Sequence, residues 1–571
     1  MYLGALLSVY AVCVLALFGA GRADFTVNPL TFFFRQIADS LRRLTGFPGW
    51  AMAGALTGLM MLLIAVIGFY WDVAWHIDNG RDKNLFTPPH VMILVGLGGL
   101  AFAGAISTVF AKIDGERVPW SALTLGLMGA GAVVAFPIDN LWHQAYGLDL
   151  TLWSPPHLQL VAGGALGTLA VLLLLAEGLP DARPTIVGRA VVVMAAGAAL
   201  VGLSIFQAEF DFGVPQFQVV YLPVLVAATA GFTLVLARLG LGAWGAIKVV
   251  LFYLALRGLI AVIVAGSLDH TFPHFPLYLA AALAVEGAAV LVGTGRRLRF
   301  ALIAGALVGT VGMAGELLWI SVAGYGPVSS ALLPKVALLA PAAAVAAAVL
   351  GAGFARAFSS GQTRIPIAAL VPAGLVLLAV LAFPLPRNVG HVQAVTRLDR
   401  TDGRARVEVR LRPADAAEGA AAFNVTSWQG GGRETARLDR VGPGRYVASQ
   451  PVPVSGRWKS LIALDRGDET MAAPVYLPAD REIGASAVAA VPSRRVTFAR
   501  NTDVLLREAK PGPPGPAALA YAAWGISVAL WIAMLAFTAV RAGRGRSEPS
   551  TRSSPGAVES WGLHDRARAS E

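Results

Sequence analysis

The chain has a single cysteine, Cys13, among its 571 residues. An intramolecular disulfide, a thiolate cluster and a Cys-x-x-Cys redox pair are therefore excluded, and any metal must be held by imidazole and carboxylate. Charge is also scarce: Asp, Glu, Lys and Arg make up 14% of the residues, against 56% hydrophobic. The net charge of +11 sits on arginines in short connections and in the C-terminal tail. No interleaving of basic and aromatic residues marks a nucleic-acid surface, so no nucleic-acid partner is expected. Histidine is rare as well, with 8 in the chain. Even so, His76, His90, His143, His157, His270 and His274 all fall at the expected tips of helical hairpins.

What abounds is apolar sequence in runs of about 20 residues, the length that crosses a bilayer core of roughly 30 Å. The chain reads as an all-α polytopic membrane protein with about thirteen transmembrane helices in repeated hairpins, its main partner being the lipid bilayer. Basic residues collect on alternate connections, among them Arg35, Arg42 and Arg43, Lys112 and Arg117, Arg183 and Arg189, and Arg296, Arg297 and Arg299. The positive-inside rule places these in the cytoplasm of a bacterial inner membrane, with the N-terminus outside and the C-terminus inside. Every histidine cluster then faces the outer leaflet. A cleaved signal peptide ending near FGAGRA is the alternative for the first segment. It is disfavoured because the start lacks a basic residue and cleavage would put Arg35, Arg42 and Arg43 outside.

Composition divides the chain into blocks. Residues 1–50 hold a first helix and an amphipathic cytoplasmic segment, 51–178 two histidine-bearing hairpins, and 179–384 further hairpins. Residues 385–510 are polar and arginine-rich, with period-two stretches such as ARVEVRLR between the turn signals GGG, GPG and RGD. That pattern reads as an extracytoplasmic β-sandwich of immunoglobulin-like type. A last helix at 511–541 precedes a Ser, Pro, Gly and Arg rich tail at 542–571, expected to be disordered.

The strongest pattern is a repeated ligand set. Residues 71–90 read WDVAWHIDNGRDKNLFTPPH and residues 138–157 read IDNLWHQAYGLDLTLWSPPH. Both contain Asp-x3-His-x13-His, and every ligand position recurs 67 residues later: Asp72 and Asp139, His76 and His143, His90 and His157. Asp and His four apart share a helix face, and the second His, at the start of the returning helix, closes a three-ligand site from across the hairpin. Two imidazoles and a carboxylate suit copper, zinc or iron, and three protein ligands leave coordination positions open. The plainer alternative is that these residues cap helices and satisfy backbone carbonyls, which does not require histidine at both positions of both copies.

Further copies are fainter. VPQFQVV replaces the histidine with Gln216 but keeps Glu209 and Asp211 nearby, and a fourth copy carries Asp269, His270 and His274 at altered spacing. Glu209, Asp269, His270 and His274 are additional candidate ligands. A fifth copy, from Glu316 to Lys335, has no histidine. Four intramembrane charges are expected to pair, Arg257 with Glu286 and Glu316 with Lys335, either as helix locks or as a proton path.

The segment DVAWHIDNGRDKNLFTPPH resembles the C subunit of copper membrane monooxygenases, the ammonia and methane monooxygenase family. Trp75, His76, Arg81, Asp82, Phe86, Thr87, Pro88 and His90 carry the resemblance, which extends over about 55–175. It implies copper at both triplets and oxygen activation near one or both. The family has Asn in its second motif where this chain has Asp139. Its subunit is shorter, lacks the later spans and the β-domain, and works with two partner subunits. More weakly, GPGRYVASQPVPVSGRWKSLIAL, within about 390–480, resembles FixH-type and YtkA-type domains associated with copper handling and oxidase assembly. With only His391 and Met471 as soft ligands, that domain is expected to dock or shield, meeting other membrane or periplasmic subunits, rather than to bind copper. The expected function is thus a copper-binding integral membrane protein with oxidoreductase chemistry. Copper handling, transport or oxidase assembly is the alternative, and a haem-anchoring redox role the third.

Overall fold

The computed structural model describes residues 29–80, 85–147, 152–214, 218–326, 330, 332–358, 365–382, 390–467, 469–480, 484–505 and 512–544. The expected first span with Cys13, the motif residues Arg81 and Asp82, the third-copy Gln216 and the expected disordered tail beyond Arg544 lie outside them. A short amphipathic helix, α1 (Pro29–Thr45), precedes the membrane-type helices. Among the described residues, ten helices are long and apolar enough to cross a membrane: α2 (Gly49–Asn79), α3 (Pro88–Ile113), α4 (Trp120–Tyr146), α5 (Pro155–Asp181), α6 (Ile186–Asp211), α7 (Tyr221–Leu241), α8 (Gly245–Ser267), α10 (Arg297–Ala323), α11 (Leu333–Phe358) and α13 (Pro514–Arg544). Two apolar helices are shorter, α9 (Leu279–Val292) and α12 (Ile367–Ala382). The protein is therefore a multi-pass membrane protein by the length and composition of its helices.

Within a hydrocarbon environment each backbone polar group needs a partner inside the protein, and the helix ends show how this is met. Prolines 88 and 155 open α3 and α5, where a missing N–H leaves no unmet donor. At the opposite end of the hairpins, the Glu177 carboxylate accepts from the N–H groups of Trp120 (3.1 Å) and Ser121 (2.9 Å) at the start of α4. Glu286 does the same at the start of α8, accepting from Trp244 (3.2 Å) and Ala246 (3.0 Å). The hairpins α4–α5 and α8–α9 thus share one device, a glutamate on the returning helix that caps the outgoing one. Side-by-side packing relies on small residues. At Gly96 a Cβ would come within 2.6 Å of the Met61 carbonyl oxygen, so α2 and α3 approach closely only because it is glycine.

The expected charge pairs are not the ones that form. Arg257 meets Asp211 at 2.8 Å, both side chains almost fully buried at 1% and 0% exposed, and lies 3.8 Å over the Tyr70 ring. Glu286 pairs with Arg238 at 2.8 Å. The reason is register: residues 268–278 are not helical, α9 begins only at Leu279, and Glu286 comes level with the start of α8, far from Arg257. Glu316 likewise does not ion-pair with Lys335. Its carboxylate accepts from the N–H groups of Leu277 (3.0 Å) and Tyr278, capping the late start of α9.

Residues 390–505 form a separate antiparallel β-domain with its own core, which includes Val407, Val425, Ile462 and Val475. Its strands are β1 (Gln393–Thr401), β2 (Arg404–Arg412), β3 (Ala422–Trp428), β4 (Glu434–Gly442), β5 (Arg445–Ala448), β6 (Val452–Pro453), β7 (Lys459–Asp465), β8 (Thr470–Tyr476), β9 (Ser493–Thr497) and β10 (Ala499–Arg500). They pair in the order β10-β8-β7-β3-β4-β5-β2-β1-β9, with β6 added beside β2. Along β2 the alternation is clean, Ala405, Val407, Val409 and Leu411 buried between outward arginines and Glu408. The β3–β4 loop rests on the end of α2. Gln429 N–H donates to Ile77 O at 2.9 Å and Gly431 N–H to Asp78 O at 3.0 Å, while Arg457 donates to Asn79 O at 2.8 Å. The last carbonyls of a helix have no partner within it, and here the β-domain supplies three.

Removing one partner of a buried ion pair strands the other charge. Asp211→Ala should therefore lower stability by about 3–5 kcal/mol, whereas Asp211→Leu combined with Arg257→Met should recover most of it. Thermal unfolding of the detergent-solubilised protein measures both, and equal losses in the single and double variants would refute the argument.

Candidate metal centre

Each triplet is built by a helix ending, a glycine and a proline-led restart. Gly80 ends α2 at φ +83° and its N–H donates to His76 O at 3.0 Å. Gly147 ends α4 at φ +81° and its N–H donates to His143 O at 3.0 Å. This left-handed conformation suits glycine, and it turns the glycine carbonyl back onto the ring: His76 Nδ1 lies 3.0 Å from Gly80 O and His143 Nδ1 lies 3.2 Å from Gly147 O. On the returning side, His90 Nδ1 is 2.9 Å from Leu85 O. A carbonyl can only accept, so these three rings carry a proton on Nδ1, and in their neutral form they present Nε2 as a lone pair.

The Nε2 atoms converge on the aspartates. His90 Nε2 and His76 Nε2 lie 3.1 Å and 3.5 Å from the same Asp72 oxygen, Oδ1. His143 Nε2 lies 3.1 Å from Asp139 Oδ2 and His157 Nε2 3.3 Å from Asp139 Oδ1. In each triplet one donor atom per residue falls within 4.8 Å of the other two. A carboxylate oxygen facing two imidazole lone pairs is an arrangement of acceptors with no donor, and it is stable only with a cation among them. Protonating the rings would supply one. A metal ion would supply one with the ligand set, two imidazoles and a carboxylate, that transition metals take.

No protein-family model, curated protein or solved structure matches this chain.

Both triplets open into one cavity of ≈ 2110 Å³ that lies between the helices and the β-domain. His157 of the second triplet is close enough to act electrostatically on Asp72 of the first. Glu209 lines the same cavity, and its Oε1 accepts from the Leu152 N–H at 3.1 Å, bracing the approach to His157. Asp72 Oδ1 and Asp139 Oδ1 are buried oxygens without a hydrogen-bond partner.

The other expected ligands go elsewhere. Among the described residues only the two triplets form metal-competent groups, and Asp269, His270 and His274 make no third. Asp269 sits at φ +56° in the non-helical segment. His270 Nδ1 bonds Asp78 Oδ2 at 2.9 Å, and the same carboxylate accepts from Thr271. His274 stacks on Tyr325, with ring centroids 4.9 Å apart and planes 5° apart. Segment 268–278 is thus a strap tied to the end of α2 rather than a ligand loop. Asp78 carries that tie and was missed from the sequence, because the position 67 residues on is Ala145 and the repeat gave no hint.

Burial, and then the charge of Arg433, hold the His274 pKa below its ordinary value of 6.5. An imidazole kept neutral in the folded state binds fewer protons than the unfolded chain as pH falls through 6.5, so the stability it contributes is lost on acidification and present above. Between about pH 7.5 and about pH 5, His274→Phe, which keeps the stack, should lose less thermal stability than the unaltered protein, by roughly a few degrees. Identical pH dependence in the two would remove His274 from the account.

Proposed function

We propose that this protein is an integral-membrane copper protein whose two Asp/His/His triplets, Asp72, His76 and His90 with Asp139, His143 and His157, serve oxidoreductase chemistry in the shared cavity. The observation that carries the reading is the convergence of imidazole lone pairs, fixed by backbone carbonyls, on a carboxylate with no donor. The motif resemblance to the C subunit of copper membrane monooxygenases favours copper over zinc or iron. When bound, copper supplies one-electron redox chemistry at positions that three protein ligands leave open.

The residues' own parts follow from their placement. The aspartates offset the cation's charge, the histidines fix its position, and Gly80, Leu85 and Gly147 hold the rings in the ligating tautomer. The apolar lining around the triplets limits water, and the β3–β4 loop covers the end of α2 that carries Asp72 and His76. On this reading the membrane is a bacterial inner membrane crossed about thirteen times. The triplets and an immunoglobulin-like β-domain lie outside, the N-terminus is outside and the C-terminus cytoplasmic. A second reading, metal handling for a partner oxidase, draws support from the same loop, since a partner gripping the β-domain would act directly on the helix end that bears two ligands.

Metal analysis with electron paramagnetic resonance and an optical spectrum on the purified protein tests the proposal. About two copper ions per chain are expected, falling to about one in His76→Ala and in His143→Ala, each with partial loss of a nitrogen-ligated cupric signal. A Soret band would move the histidines to haem ligation. Absence of metal after copper loading would return them to capping.

A further inference from the structure

The cavity that holds the triplets does not end at them. It continues down the helical bundle along Leu56, Met60 and Leu63 of α2, Met194 of α6, and Leu256 and Leu259 of α8. From Leu56 to Asp72 the helical rise alone is about 24 Å, most of a bilayer core. Its wall is open on the lipid side, where Met60 is 61% and Leu259 51% exposed. Water gains no hydrogen bonds in such a groove, so what fills it from the bilayer is an apolar chain.

The other end of the cavity is polar, and one group there is left over. Arg437 is paired with Asp439 at 2.6 Å and Arg440 with Glu418 at 3.1 Å. Arg433 has no ion pair among the described residues. Its Nη1 donates to Gly213 O at 3.2 Å and Thr435 Oγ1 at 3.1 Å, and its buried Nε has no partner. Burial, opposed by the charge of Asp78, pulls its pKa down, and the Asp78 carboxylate is itself taken up by His270 and Thr271. A desolvated guanidinium without an ion pair in a cavity lining calls for an anion.

We propose that this cavity binds a long-chain amphiphile with an anionic head, its oxyanion on Arg433 and its chain in the groove between α2, α6 and α8, passing the two triplets. As a binding site the assignment stands on the cavity and Arg433 alone. As the substrate class of the metal centre it rests on the copper reading. A carboxylate and a phosphate head satisfy the same donor, and the experiment separates fatty acid from anionic phospholipid.

The full-length protein in zwitterionic nanodiscs is titrated with stearate spin-labelled near the end of its chain. Saturable binding of about one probe per chain is expected. Arg433→Gln should weaken it about ten-fold, with partial recovery in Arg433→Lys, since a lysine keeps the charge but not the fork. Ala198→Trp, or Leu259→Trp should the first variant fail to fold, should abolish it by filling the groove. Unlabelled stearyl alcohol should compete about ten-fold more weakly than stearate, because it lacks the charge that Arg433 meets. Competition by stearate over phosphatidic acid identifies a fatty-acid site, and the reverse order a phospholipid site. Partition without saturation, binding unaffected by Arg433→Gln, or equal competition by the alcohol would overturn the proposal. The combined variant His76→Ala and His143→Ala should lose copper but keep the probe. Copper without probe binding would therefore sink only this inference, and probe binding without copper only the metal reading.

Discussion

The carbonyls freed where a helix stops at the edge of an apolar slab set the geometry of everything above them. Such groups must find a donor inside the protein, and α2 and α4 find theirs in histidine rings and in a neighbouring domain. At Gly80 and Gly147 the chain leaves the helix in a left-handed turn, and the carbonyl that this turn exposes takes the Nδ1 proton of a histidine one turn back. The ring is thereby fixed in tautomer and direction before any ligand arrives. What looks like an ordinary solution to helix termination is also the step that aims Nε2 at the aspartate.

The same constraint explains why the β-domain sits where it does. The carbonyls of Ile77, Asp78 and Asn79 end the helix that bears Asp72 and His76 and have no partner within it. The N–H groups of Gln429 and Gly431 and the guanidinium of Arg457 serve them instead. Asp78 adds a second tie through His270 and Thr271, so the strap 268–278 and the β3–β4 loop meet on one helix end. The domain is bound to the bundle by hydrogen bonds to backbone groups that would otherwise go unmet, and Ala421 adds an apolar contact with the helical core.

The ligand triplets were legible because duplication left them at a fixed offset and because a helix puts residues four apart on one face. The β-domain was legible from period-two alternation, which β2 displays residue by residue. Gly80 and Gly147 obey the same 67-residue offset and could have been read with the ligands, since a glycine four residues past a histidine at a helix end implies the left-handed turn. The charge pairs were not legible. Pairing Arg257 with Glu286 assumed that both helices of that hairpin run to the same depth, and a span of 14 residues, from Leu279 to Val292, does not. Where a chain enters a bundle without helical structure, counting residues from the hairpin tip gives the wrong level. Asp211, which does pair with Arg257, was noted only as a remnant of a histidine motif.

Two metal ions held in one cavity, as proposed, would constrain each other. Charges in a poorly screened interior interact several times more strongly than in water, so the net charge of the cavity matters more than the affinity of either triplet alone. Each triplet contributes one carboxylate, and Glu209 adds a third negative group to the shared lining. Two divalent ions would leave a net positive cavity under the basic end of the β-domain, where Arg433 already has no counter-ion. Two monovalent ions would each be neutralised by their own aspartate, leaving the Glu209 carboxylate, which accepts from the Leu152 N–H. On the proposed metal reading the cavity therefore opposes the accumulation of positive charge. It also resists a second divalent ion more than a first, so stepwise loading is the behaviour to look for in any metal titration of this protein.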